Sequence, residues 1–129
     1  MELEVDGVTV RLHPHRILEY DFGSVGAFDA DRARVLLSTA EQAVREEGHT
    51  GTFRILVRFG SLSSLTRDAR LEFANGDVNR RMAECSAIVA TTPVAEALGS
   101  MFTGLNKPKR PVRVFSDAGE AVEWLRSFG

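Results

Sequence analysis

Between Arg58 and Arg67 the sequence reads RFGSLSSLTR, placing Ser61, Ser63, Ser64 and Thr66 where an apolar run gives way to a helical pattern. Hydroxyls at a helix N-terminus sit among backbone N–H groups that have no intrahelical acceptor, at the positive end of the helix dipole. A phosphate added there is stabilised, and Arg58 and Arg67 flank the segment as its natural ion-pair partners. The same hydroxyls also suit a purely structural end, because Ser64 or Thr66 can simply cap the helix.

A second concentration of charge lies in NKPKRPVRVF, where Lys107, Lys109, Arg110 and Arg113 share ten residues with Pro108 and Pro111. The prolines block helix continuation and Asn106 tolerates left-handed angles, so the stretch is fully accounted for as a turn leading into a strand. Its functional reading is a basic rim for an acidic protein, a phosphorylated molecule or a lipid headgroup, with Arg80 and Arg81 nearby. Such binding would fall steeply with salt.

Other reactive residue types are sparse. His13 and His15 flank Pro14 on a turn, and a metal site would need ligands beyond the distant His49. They read as surface histidines, and no metal or other cofactor is expected. Cys85 opens an apolar run and reads as a small core residue. None of GxSxG, GxxxxGK, GxGxxG after a strand, or HExxH is present, and the glutamates at 41, 46, 47, 72 and 84 are scattered on helical faces. The expectation is a protein that binds and does not catalyse.

The chain has 129 residues, a net charge of −2 and one cysteine. That length buries about 65–70% of the unfolded surface, so one domain over residues 1–129 needs no metal or disulfide. A near-neutral balance argues against nucleic acid as a partner. The opening MELEVDGVTV places acids where a signal peptide would need bases, and no apolar run reaches a membrane span, so a cytoplasmic protein is expected.

The elements that must position these residues follow from periodicity. Val8, Val10 and Leu12 alternate, His13-Pro14-His15 turns, and Ile17, Leu18 and Tyr20 resume extended structure, which predicts a hairpin. Ala33, Leu36, Leu37, Ala40 and Val44 form one helical stripe, with Asp29 or Asp31 as cap and Gly48 as stop. TFRILVRFG is the strongest strand, followed by a helix over 66–75 that Asn75-Gly76 should terminate. CSAIVATT predicts a strand covered on both faces, and Pro93 starts a helix over 93–105 with Val94, Leu98, Met101, Phe102 and Leu105 inward. VRVF is a strand, and Ser116 or Asp117 caps a last helix burying Ala118, Ala121, Val122, Leu125 and Phe128. The order β-β-α-β-α-β-α-β-α predicts an α/β domain with a mixed five-stranded sheet and four helices.

The C-terminal third, SAIVATTPVAEALGSMFTGLNKPKRPVRVFSDAGEAVEWL, resembles the SpoIIAA-like branch of the STAS-domain family. The resemblance is carried by a TP helix start, the turn of Phe102, Gly104, Leu105, Asn106, Lys107 and Pro108, the strand end at Phe115, and Glu120, Ala121, Trp124 and Leu125 in the last helix. It implies a compact α/β domain that acts by binding, through regulatory partners and in related folds through nucleotides or lipids. It also implies a phosphorylatable serine at the start of the helix after the central strand, here among Ser61, Ser63, Ser64 and Thr66. The family's usual Asp at the strand end and following Asp-Ser pair are replaced by Arg58 and SLSS.

Two functions are therefore expected in competition. One is a regulatory STAS-type module that binds a protein partner through the loop 60–66 and helix 66–75. The other is a carrier of a small apolar or lipid-like ligand between the sheet and helix 93–105. Pairing of edge strands into a homodimer is left open.

Overall fold

The structure is a computed structural model that describes residues 1–23, 27–59, 64–65, 68–69, 72, 76–90 and 110–128. Its first feature is a meander. Strand β1 (Glu2–Val5) turns through Asp6-Gly7 into β2 (Val8–His13), and a 3₁₀ turn over Pro14–Arg16 leads into β3 (Ile17–Asp21). Asp6 and Gly7 have φ of 53° and 84°, the doubly left-handed backbone that two-residue hairpin loops require. The Val5↔Val8 and His13↔Ile17 registers close the two hairpins.

The chain then passes through β4 (Ala27–Phe28) into α1 (Ala30–Glu46). Asp29 caps α1 by accepting from the Arg32 backbone N–H at 2.9 Å. Its five predicted stripe residues are all buried, and Gly48 ends it at φ +90°. Strand β5 (Phe53–Phe59), β6 (Ser64–Leu65), α2 (Asp77–Met82), β7 (Ala83–Ala90), β8 (Val112–Phe115) and α3 (Ala118–Arg126) complete the described elements. Asp117 caps α3 through the Gly119 and Glu120 N–H groups.

The main sheet runs β1-β2-β3-β5-β7-β8. β1, β2 and β3 pair antiparallel, while β3, β5, β7 and β8 pair parallel. It therefore has six strands, not the five expected. The additional strand is β1, where Glu2 and Glu4 alternate with Leu3 and Val5; that period of two was present, but the acidic positions obscured it.

The helices also depart from the expected four: among the described residues three are α-helical elements, at 30–46, 77–82 and 118–126. The short α2 begins where a helix was predicted only to end. Gly76 does both tasks, its N–H donating to the Glu72 carbonyl at 3.0 Å while its own carbonyl accepts from Arg80. A Cβ at position 76 would lie 2.5 Å from the Glu72 carbonyl oxygen, so only glycine lets the two segments meet this closely. Residues 68, 69 and 72 are helical, Ala69 is buried in the core under α1, and Glu72 lies 3.6 Å from Arg34 of that helix. The rest of the helix predicted over 66–75, and the whole of that over 93–105, fall outside the described residues.

Side-chain alternation gives the sheet two different faces. Val8, Val10, Leu18, Tyr20, Phe53, Ile55 and Phe59 face α1 and α2 and share a core with Leu36, Leu37, Val44 and Met82. Cys85, Ala87, Val89, Leu56 and Ile17 face the other way and pack with Ala121 and Leu125 of α3. Trp124 closes that second cluster at the β8 edge, its ring 5.8 Å from Phe115 and 4.7 Å from Phe128. No helix among the described residues is long and apolar enough to cross a membrane.

Candidate functional site

α3 packs over β5, β7 and β8 but leaves the same face of β1, β2 and β3 without a helix among the described residues. Alternation puts Thr9, Arg11 and His13 of β2, and Ile17, Glu19 and Asp21 of β3, on that face. The register places Arg11 directly opposite Glu19, and Asp21 opposite Arg58 of β5. A buried carboxylate surrounded by cations results.

Glu19 is 3% exposed, the one buried charged residue among those described. Its Oε1 lies 2.5 Å from His13 Nε2, and its Oε2 lies 3.4 Å from Arg58 Nη1 and 3.5 Å from Arg11 Nη1. Arg11 is shared further, with Glu2 at 3.0 Å and Asp21 at 3.6 Å. Removing a carboxylate from water costs several kcal/mol unless paired groups compensate, and here three compensate at once.

The backbone corner that carries His13 is held open by force. His15 and Arg16 both have left-handed angles, at φ 65° and 61°, which cost non-glycine residues about 1 kcal/mol or more each. The Arg16 side chain offsets this by donating to the Thr50 carbonyl and, at 2.8 Å, to the Thr52 carbonyl. Its guanidinium also lies 4.4 Å from the centre of the Phe53 ring. The corner is thereby stapled to the segment entering β5.

Between this corner and α3 lies an open cleft of about 430 Å³. Ile17 and Leu56 form its apolar floor, Pro14 one wall, and Ala118 and Val122 the helical wall. Glu19, His13 and Arg58 line one end, and Arg126 projects from the last turn of α3. Cys85 belongs to the packed cluster behind this cleft, and burial pushes its thiol up to about 11, so it stays protonated and unreactive at neutral pH.

Of the residues singled out from sequence, Arg58 is brought into this cleft and pairs with Glu19. Ser64 lies in β6, whose backbone pairs with β4 in a separate two-stranded sheet. Ser61, Ser63, Thr66 and Arg67 fall outside the described residues, as do Lys107 and Lys109 of the basic stretch. Arg110 and Arg113 are exposed, and Arg113 lies over the Phe115 ring at 5.1 Å. Arg80 and Arg81 pair with Asp77 and with Glu41, the latter at 2.8 Å. The Arg81 hydrogen bond holds the Glu41 carboxyl below the usual carboxylate range.

Sequence reasoning missed the Glu19 cluster and read His13 as an uncommitted surface residue. The signal was there: a hairpin closing at residues 14–16 must place Arg11 across from Glu19. Among the described residues no group of three or more His, Cys, Asp or Glu side chains could hold a metal ion.

No curated protein matches the chain. Among solved structures it is similar to an uncharacterized protein of the DUF3478 family with a SpoIIAA-like fold from Shewanella loihica PV-4, at 16% identity and a TM-score of 0.64. That alignment covers 97% of this chain and 98% of the other, and the fold is accordingly SpoIIAA-like, an α/β domain with a mixed sheet. The family described as a domain of unknown function, DUF7793, matches residues 15–129, and the chain belongs to it.

Proposed function

We propose that the chain is a non-enzymatic regulatory module of the STAS type, which binds a protein partner through residues 60–66 and the helix over 66–75. The observation that carries this reading is the pairing of β6 with β4, Ala27↔Ser64 and Phe28↔Leu65. It ties the serine-bearing segment to the chain leaving β3, at the end of the sheet where Asp21 and Arg58 stand in register. The backbone of Ser64 and Leu65 is thereby anchored to a strand, and segments anchored on a scaffold are where binding residues concentrate. The helical state of residues 68, 69 and 72, with Asp68 exposed and Ala69 buried, supports a helix with one free face beside that loop.

Native mass spectrometry of protein taken from its own host tests the reading. The expected result is a complex with a second polypeptide, cross-linked at residues 60–75. A modified fraction heavier by about 80 Da, mapping to residues 61–66, would add phosphate control. A bare chain under every growth condition, with no partner and no phosphate, would retire it. The same spectrum reports on the second function class, because a carrier would retain a small apolar molecule; the helix 93–105 that would form its wall lies outside the described residues.

A further inference from the structure

We propose that the cleft between the His13–Ile17 corner and α3 is a binding site for a small organic monoanion, a carboxylate attached to an apolar body. The site is on the sheet face opposite α1 and includes Arg58, which also flanks the serine-bearing segment; its test is a ligand titration, which can fail without the partner-binding reading failing. Its volume of about 430 Å³ lies in the range of about 300–1,000 Å³ usual for small-molecule sites.

Charge selects the head. The lining carries two guanidinium groups, Arg58 and Arg126, against the single carboxylate of Glu19, a surplus of one positive charge among these three. The negative member is the hidden one: the Glu19 side chain is 4% exposed, whereas Arg58 is 46% and His13 41% exposed. A ligand entering from solvent therefore meets mainly the more exposed Arg58 and His13 side chains. Glu19 also engages Arg58 through Nη1 alone, at 3.4 Å, which leaves the other guanidinium N–H groups available. One added negative charge balances the lining, and a second would exceed it.

Shape selects the body. Ile17 and Leu56 are almost wholly buried at the cleft floor, while Val122 and Ala118 on α3 are only half-buried. An apolar group laid between them gains burial on both sides, while its carboxylate reaches the Arg58 or Arg126 end. The stapled corner matters here because a preorganised wall does not have to be ordered when the ligand arrives.

Three probes with one body and three heads test this: 3-phenylpropanoate, 3-phenylpropan-1-ol and 3-phenylpropylammonium, titrated into the full chain and followed by ¹H–¹⁵N NMR. The carboxylate should bind with a Kd of about 1 mM or tighter, shifting amides of residues 13–19 and 118–126, and at least about tenfold more tightly than the other two. Arg126→Glu changes an exposed side chain and should leave the melting temperature in place while weakening the carboxylate several-fold. Val122→Glu, which puts a carboxylate of the protein's own into the cleft, should abolish binding. Equal affinity for all three heads would reduce the cleft to a generic apolar patch and overturn the proposal. So would shifts mapping elsewhere, undiminished carboxylate affinity in both Arg126→Glu and Arg58→Gln, or no carboxylate binding at about 10 mM.

Discussion

The two faces of the main sheet are made by alternate residues of the same strands, yet they have different characters. On the α1 face the apolar set runs unbroken from Val5 and Val10 through Leu18 and Tyr20 to Phe53 and Ile88. On the α3 face it stops partway: Leu56, Ala87 and Leu125 are packed, but over the next two strands the same face presents Glu19 and then Arg11 and His13. A helix covers the apolar half, ion pairs satisfy the rest, and the cleft lies along the seam. The lesson is that period-two alternation says which residues share a face but not whether that face is finished with a helix or with charge.

The comparison can be broken most directly by truncating the apolar face. Leu36 is fully buried under the sheet, and Leu36→Ala should cost about 3–5 kcal/mol in a urea titration. Arg11→Ala, on the ionic half of the other face, should cost less than half as much, because its side chain is partly solvated. Equal losses would mean that the charged half is as tightly integrated as the core.

Alkali probes both faces together. Burial raises the Tyr20 phenol on the α1 face and the Cys85 thiol, to about 11, on the α3 side. Each group is neutral in the folded chain at pH values where the unfolded chain has already lost the proton. Stability is therefore fully present below the ordinary thiol value of 9.0 and declines as pH rises toward about 11. The thiol contributes about 2–3 kcal/mol of that decline, and Cys85→Ala should remove this share while leaving the phenol's. Melting temperatures from pH 8 to 11 read it out, and a flat profile would contradict the burial of both groups.

A smaller effect sharpens the seam itself. Glu19→Gln keeps the shape but removes the charge that Arg11, His13 and Arg58 surround, and should cost about 1–2 kcal/mol. The same substitution at Glu41, whose partner Arg81 is exposed, should cost under about 1 kcal/mol. The two variants measured side by side separate an enclosed ion cluster from a surface pair.

Much of this architecture was legible in the sequence, and the misses have causes. The stripe of α1, the Asp29 and Asp117 caps and the strongly apolar β5 depend on local patterns that tertiary packing reinforced. β1 is hard to read because acidic Glu2 and Glu4 occupy its alternate positions, although Asp6-Gly7 is among the strongest hairpin signals. α2 was invisible because Gly76 reads as a stop, and only its close approach to Glu72 shows that it also starts a new helix. His13 reads as an idle side chain because its partner Glu19 is on the next strand, where only the hairpin register brings the two together. The cleft depends on where α3 lands, which no local pattern encodes.

The tight turns of the β1-β2-β3 meander carry a kinetic consequence. Two hairpins closed by two and three residues bring their partners together almost for free, whereas joining β3 to β5 must close the excursion over residues 22–52. Chain entropy makes that closure costlier by about 2 kcal/mol, so the meander is the natural nucleus on which the parallel strands assemble. Pulse-labelled amide exchange during refolding should protect Val10 and Tyr20 before Ile88 and Val114.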